Sequence, residues 1–311
     1  MTDLLVSTLI QGLIYAMVTF GVYITYSILD FPDLGVDGVF PLGAAITAAL
    51  LTRGVDPWVT LPLAMLAGAG AGLFTGLIHV RLHIRNLLAG IITMTALFSI
   101  NLQIAGSNLA IGRELDTIFT SAPAMALSGS LTLTGRKLLI SALLVLLVKL
   151  LLDLFFRTRA GLLLRAAGDN PGLVSSLGKD VGSVKICGLM LSNALVALGG
   201  ALACQELRSF SASMGTGQLV FALAAVIMGI SLAGLYTRLS HRLRSRGGLL
   251  GLLATPAGTT AVLLGSILYK LCIQTALSLG LPANLLKLAT AVLFLLVLVF
   301  SGRKGEAIIH A

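Results

Sequence analysis

The sequence predicts an all-α, polytopic membrane protein of about eight to ten transmembrane helices with a discontinuous second helix. Three observations carry the prediction. Across 311 residues the chain is 57% hydrophobic and only 11% charged, with a mean hydropathy of +1.01. That is far too apolar for a chain of this length to stay dissolved in water. Its apolar runs repeatedly reach the roughly 20 residues a helix needs to cross a bilayer. Between the first two runs, "FPDLGVDGVFPLGAA" (31–45) inserts Asp33, Asp37, two prolines and three glycines.

The first run, Leu4–Leu29, is long enough to remain as a helix. "MTDLLV" before it lacks the basic stretch of a cleavable signal. The second, Val39–Thr52, spans only if its helix recruits part of the irregular segment ahead of it. Irregular backbone at membrane depth survives only inside protein or beside a water-filled cavity, so residues 31–40 are expected to line something. Two readings of the aspartates stand. Either Asp33 and Asp37 line a path or its gate, or they cap helix starts, with Asp37 ahead of a helix beginning near Pro41.

The third run, Trp58–Val80, contains "GAGAGLFTG", which sets Gly68, Gly72 and Gly76 four residues apart as one smooth stripe. Such a stripe admits a second backbone, within the subunit or between subunits. In the fourth run, Asn86–Gly106, Thr95, Ser99 and Gln103 share one face, while Thr93 and Asn101 lie on another. In the fifth, Leu138–Phe156, Lys149 and Asp153 stand at i, i+4 and can neutralise each other. Val184–Gln205, Gln218–Tyr236, Thr259–Gly280 and Leu285–Phe300 complete the set; Ser192 and Asn193 lie in the sixth and Lys270 in the eighth. Asparagine and glutamine are costly inside a membrane, so Asn101, Gln103 and Asn193 mark either a solute path or interhelical hydrogen bonds.

Between the fifth and sixth runs, about 157–183, "RTRAGLLLRAAGDNPGLVSSLGKDVGSVK" is too polar to span. Asn170 before Pro171 fits an N-cap with proline at the first helical position. A short helix over Gly172–Leu177, ended by Gly178, is therefore expected, either as a docking element or as an ordinary loop with a helical turn.

If the spans alternate, thirteen lysines and arginines, from Arg81 and Arg85 through Arg157, Arg165 and Arg238 to Arg303 and Lys304, fall on one side and six on the other. The positive-inside rule puts the N-terminus outside, with the basic loops and the tail 301–311 inside. The net charge of +9 is then a topology signal and no footprint of nucleic acid. "RLSHRLRSR" is suited to anionic membrane lipids. It and "HVRLHIR" lie four spans apart, which suggests an internal duplication in parallel halves, or simply two basic cytoplasmic loops.

Cys187, Cys204 and Cys272 lie in or beside apolar runs without metal or disulfide spacing. His79 and His83, flanked by arginines, read as interfacial residues and not as ligands. No G-x-x-x-x-G-K-[ST] is present, so nucleotide phosphates are not held here by that route. No catalytic constellation appears, and no metal or cofactor is expected on this chain.

"GLLLRAAGDNPGLVSSLGKDVGSVKICGLMLSNALVALGGALACQ" resembles the cytoplasmic coupling loop and following helix of ABC-importer permeases of the branched-chain amino acid, ribose and galactose permease superfamily. "FPDLGVDGVFPLGAA", "NLLAGIITMTALFSINL" and "LLGSILYKLCI" look like the branch linked to tryptophan, tyrosine or unidentified small solutes. The likeness covers most of Leu4 to Phe300. It departs at "LAAVIMGISLAG", where an acidic residue is usual near Ile230, and in the basic "RLSHRLRSR".

The resemblance implies a single permease domain over 1–311 in a bacterial inner membrane, importing a small, amino acid-like solute by alternating access. It implies cytoplasmic ATPase subunits that hold ATP and Mg, a second permease copy or paralogue, and an extracytoplasmic solute-binding protein. Arg165, Gly168, Asp169, Asn170, Pro171, Gly172, Ser175, Leu177 and Gly178 would then form the element that sits in the ATPase. A gradient-driven secondary transporter, for which Lys149, Asp153 and Lys270 are the few buried ionisable groups, or a channel subunit, is the alternative.

Overall fold

The computed structural model describes residues 2–128, 132–244, 258–278, 280, 282 and 285–309. Its helices are α1 (Thr2–Val22), α2 (Val36–Thr52), α3 (Pro57–Arg81), α4 (Asn86–Ala105), the short α5 (Ala122–Ser128), α6 (Leu133–Arg157), α7 (Arg159–Asp169), α8 (Pro171–Ser176), α9 (Val181–Leu207), α10 (Gln218–Arg244), α11 (Gly258–Ser278) and α12 (Leu286–Ile309). Among the described residues, seven helical segments are long and apolar enough to cross a membrane, and Val36–Thr52 and Leu288–Val299 are shorter apolar helices. Together these nine match the nine runs of the sequence.

The middle of the molecule is α9, packed against α1, α2 and α3. Its sequence explains the position: "SNALVALGGALAC" is rich in small residues and buried from Ser192 to Cys204. Lipid tails are as apolar as leucine, so close backbone approach and interhelical hydrogen bonds must hold helices together. The glycine stripe of α3 supplies the first, inside one subunit. A Cβ on Gly68 would strike the Asn193 carbonyl, one on Gly72 the Leu189 carbonyl, and one on Gly76 the Ile186 side chain. Because α9 engages α1, α2 and α3 together, the two sequence halves do not form separate bodies.

Two departures from regular α-helix lie at one end of α1. Its last residues widen into a π-helical turn, Tyr23–Ile28, and the chain then runs irregularly to Val36, with Asp30 at φ 51°. α2 starts at Val36 and keeps Pro41 inside it, so the expected start near Pro41 is corrected. Pro41 is the sixth residue of α2, past the unpaired first amides, so it removes the helical bond that would otherwise reach the Asp37 carbonyl.

At the opposite end, β1 (Asn108–Ala110) pairs antiparallel with β2 (Ser209–Ser211), Leu109 facing Phe210. Polar bonds stitch the same region. Gln205 accepts from Ile118 N–H at 2.8 Å and donates to the Pro57 carbonyl and Thr60 Oγ1. Arg208 donates to the carbonyls of Gly112 and Leu115 at 2.8 and 2.9 Å, and Lys137 pairs with Glu206 at 3.0 Å. Arg246 of the basic loop lies outside the described residues, and the expected tail 301–311 is helical as far as Ile309.

Candidate translocation path and docking helix

The irregular segment and the first turn of α2 each hold one of the two candidate aspartates, with separate surroundings. Asp33 is fully buried. Its Oδ1 accepts from Gly35 N–H at 2.8 Å and its Oδ2 from Asn193 Nδ2 at 3.0 Å, which ties the break before α2 to the middle of α9. Gly90 of α4 packs over this turn, where a Cβ would press on Leu34 N and Asp33 Oδ1. The carboxylate thus serves as an internal acceptor for backbone that has left the helix, the service irregular backbone at this depth requires.

Asp37 caps a helix start, but neither its own nor one near Pro41. Its carboxylate crosses to α10 and accepts from Gly217 N–H at 3.0 Å and Leu219 N–H at 2.8 Å. The first amides of a helix have no partner within it, and their dipoles favour an anion. Gly215 packs beneath, against the Asp37 carbonyl and the Pro41 ring. The start of α2 and the start of α10 therefore meet, and a cavity of about 290 Å³ opens beside them, lined by Asp37, Gly38, Pro41, Met94, Thr95, Phe98, Asn101, Ala212 and Thr216.

Of the expected path residues, Asp37, Thr95 and Asn101 are brought together in this cavity. Asn101 also donates to the Gly38 carbonyl at 3.0 Å, a bond between α4 and α2. Asp33 and Asn193 pair with each other away from it. Ser99 and Gln103 continue the Thr95 stripe along an exposed face of α4, and Thr95 returns its hydroxyl to the Ile91 carbonyl.

The segment between α6 and α9 forms two helices at the end of the molecule opposite the ribbon. Thr158 caps α7, accepting from Gly161 N–H, and Asn170 caps α8, accepting from Leu173 N–H at 3.2 Å, with Pro171 next. Gly178, at φ 70°, follows the end of α8 in the left-handed region that glycine enters freely. Val174 is buried, while Leu173 and Leu177 are 50% and 60% exposed; Gly172, Ser175, Asp169 and Asn170 are exposed beside them. Arg165 lies 5.1 Å over the Phe156 ring. Gly168 faces inward: a Cβ there would strike the Ile28 carbonyl in the π-helical turn. Asp180 then caps α9, its carboxylate accepting from Ser183 Oγ and from the amides of Ser183 and Gly182. These bonds hold its pKa below the usual carboxylate value.

Sequence reasoning missed the bond from Asp37 to α10, the ribbon and the π-helical turn. Only the second run's shortness hinted at any of them.

A family model described as the permease component of branched-chain amino acid transport systems matches residues 4–301. The tyrosine transport system permease protein of Clostridioides difficile is 38% identical over 291 residues, covering 94% of this chain and 89% of the relative. An uncharacterized protein of Rickettsia prowazekii is 31% identical over 73% of this chain and 77% of its own length. The probable branched-chain amino acid transport permease protein LivH of Methanocaldococcus jannaschii is 29% identical over 64% and 65%. No solved structure matches the chain significantly.

Proposed function

The chain belongs to the family of permease components of branched-chain amino acid transport systems, and on that premise we propose that it imports an amino acid-like solute through a path shared with a second permease copy. ATP and Mg are handled by cytoplasmic ATPase subunits, and solute is delivered by an extracytoplasmic binding protein. The α7 and α8 end faces the cytoplasm of a bacterial inner membrane; the N-terminus and the ribbon face outside.

The observation that carries the reading is α8 itself. A six-residue helix with an N-cap, a first-position proline and a terminating glycine is held rigid by one buried side chain, Val174, yet it exposes Leu173 and Leu177 beyond the spans. Rigid, exposed leucines outside the membrane suit a partner protein's cleft. Gly168 links the helix pair to the π-helical turn, and the turn leads through Asp33 to α2. Movement at α7 and α8 thus reaches the cavity through packed backbone. The exposed Thr95, Ser99 and Gln103 face of α4 extends from that cavity, and a second copy covering it would place those side chains along the path.

The test is copurification. The tagged chain, extracted gently from native membranes, is expected to bring an ATPase subunit, and Leu173→Ser with Leu177→Ser is expected to lose it while keeping a normal elution profile. An unchanged ATPase yield from a folded double variant would overturn the docking assignment. In vesicles, ATP-dependent tyrosine uptake would support the substrate class. Uptake that persists without ATPase and collapses with the ion gradient would overturn the ATP-driven reading.

A further inference from the structure

A second and larger cavity, about 530 Å³, lies between α1, α10, α11 and α12, and Thr216 borders both it and the Asp37 cavity. Lys270, near the middle of α11, lines it. Its Nζ sits 3.5 Å from the centroid of the Tyr15 ring and 5.0 Å from that of Phe221. The ion pairs among the described residues are Lys137 with Glu206 and Lys149 with Asp153; among the described residues Lys270 has no carboxylate within pairing distance. Gln218 also lines the cavity, and its Oε1 is buried without a hydrogen-bond partner.

A cation inside a membrane span is expensive and faces a cavity or a partner. Two ring faces attract an ammonium group but offer no countercharge. Lys270 is eight residues before the end of α11 at Ser278, about 12 Å along the helix at 1.5 Å per residue. A lipid headgroup stays at the membrane surface, so the anion that suits this lysine is one that can leave the surface and enter the cavity. The volume lies within the range of about 300–1,000 Å³ that small-molecule sites occupy, and most of the wall is apolar, Ile273 and Leu277 included.

We propose that this cavity binds a small solute bearing one carboxylate and an apolar body, the carboxylate held by Lys270 and the body lying against Phe221, Ile273 and Leu277. The solute would also meet the unpaired amide oxygen of Gln218 with any donor it carries. The site is separate from the docking surface and does not depend on ATP.

The test uses the chain with its copurifying subunits in phosphatidylcholine nanodiscs, and tritiated phenylacetate as the probe. Saturable binding is expected, weakened at least about tenfold in Lys270→Met and preserved within about threefold in Lys270→Arg; loss of a charge-assisted bond has that size. Phenylacetamide, the same shape without the charge, is expected to compete at least about tenfold more weakly on the unaltered chain, a comparison that needs no variant to fold. Absence of saturable binding, equal competition by the amide, or equal binding to a folded Lys270→Met would overturn the proposal. Native mass spectrometry in discs containing phosphatidylglycerol closes the remaining route. A phosphatidylglycerol retained by the unaltered chain, lost from Lys270→Met and displacing the probe would assign the lysine to a lipid phosphate and overturn the proposal too.

Discussion

Asp33 gives the sharpest stability prediction because both of its bonds are buried. Replacing it by alanine leaves two donors without acceptors, the Gly35 amide and Asn193 Nδ2. A buried, unsatisfied donor costs about 1–3 kcal/mol, so Asp33→Ala is expected to lose about 2–6 kcal/mol. Asp33→Asn behaves differently. The new amide oxygen still accepts from Gly35. Its NH₂ faces Asn193, whose Oδ1 has no partner now and can turn to accept. Both bonds survive, and the expected loss is about 1 kcal/mol or less. The assay is reversible unfolding in mixed micelles titrated with SDS, beside uptake in proteoliposomes. If Asp33→Ala were as stable as the unaltered chain, the turn would be held by something else. If Asp33→Asn cost as much as Asp33→Ala, the negative charge would matter in itself and the amide exchange argument would fail.

Further expectations rest on single contacts. Gly72→Ala pushes a methyl into the Leu189 carbonyl and is expected to cost about 1–3 kcal/mol; Gly70→Ala, two residues away in open space, should gain about 0.5–1 kcal/mol, and the same unfolding titration compares them. Gly168→Leu should reduce the folded yield, whereas the exposed Leu173→Ser should not, as size-exclusion profiles will tell. The Asp180 carboxyl is held below its ordinary value chiefly by Ser183, so its capping is complete above the unfolded value of about 3.9 and is lost as pH falls through the lower folded value. Hydrogen exchange at Gly182 and Ser183 should therefore quicken, beyond the intrinsic chemical rate, at acid pH, and Asp180→Ala should remove that response.

What was legible in the sequence followed from local rules. Apolar run length gave all nine spanning or near-spanning helices, and Asn170, Pro171 and Gly178 gave α8 to within a residue at each end, because capping is decided by neighbours along the chain. The glycine stripe was legible as a contact face, although which helix it met was not. Asp37 could not be read: its partners Gly217 and Leu219 are 180 and 182 residues away, and local signals place a cap only on the helix that follows it. The same holds for the ribbon, whose strands are three residues each and carry no alternation to distinguish them from loop. Thr95, Ser99 and Gln103 were grouped correctly by helical period, but period alone does not separate a face turned to a cavity from one turned away from the subunit.

The stitching around Gln205, Arg208 and the ribbon has a mechanical consequence for α9. One end of that helix is pinned by a strand pair, an ion pair and several hydrogen bonds, whereas the other packs on the glycine stripe of α3 and carries the α7 and α8 pair. Such a helix can act as a lever with its fulcrum at the ribbon. At 27 residues it is about 40 Å long, so a tilt of about 5° at the fulcrum sweeps the far end through about 3.5 Å. Asn193, close to halfway, would travel about half as far, about 1.7 Å, carrying Asp33 and the start of α2 with it. A partner that displaces the end carrying α7 and α8 by a few ångströms would thus deliver to the break before α2 a movement larger than a single hydrogen bond can absorb. A gate built at that break could respond while the seam at the ribbon stays closed.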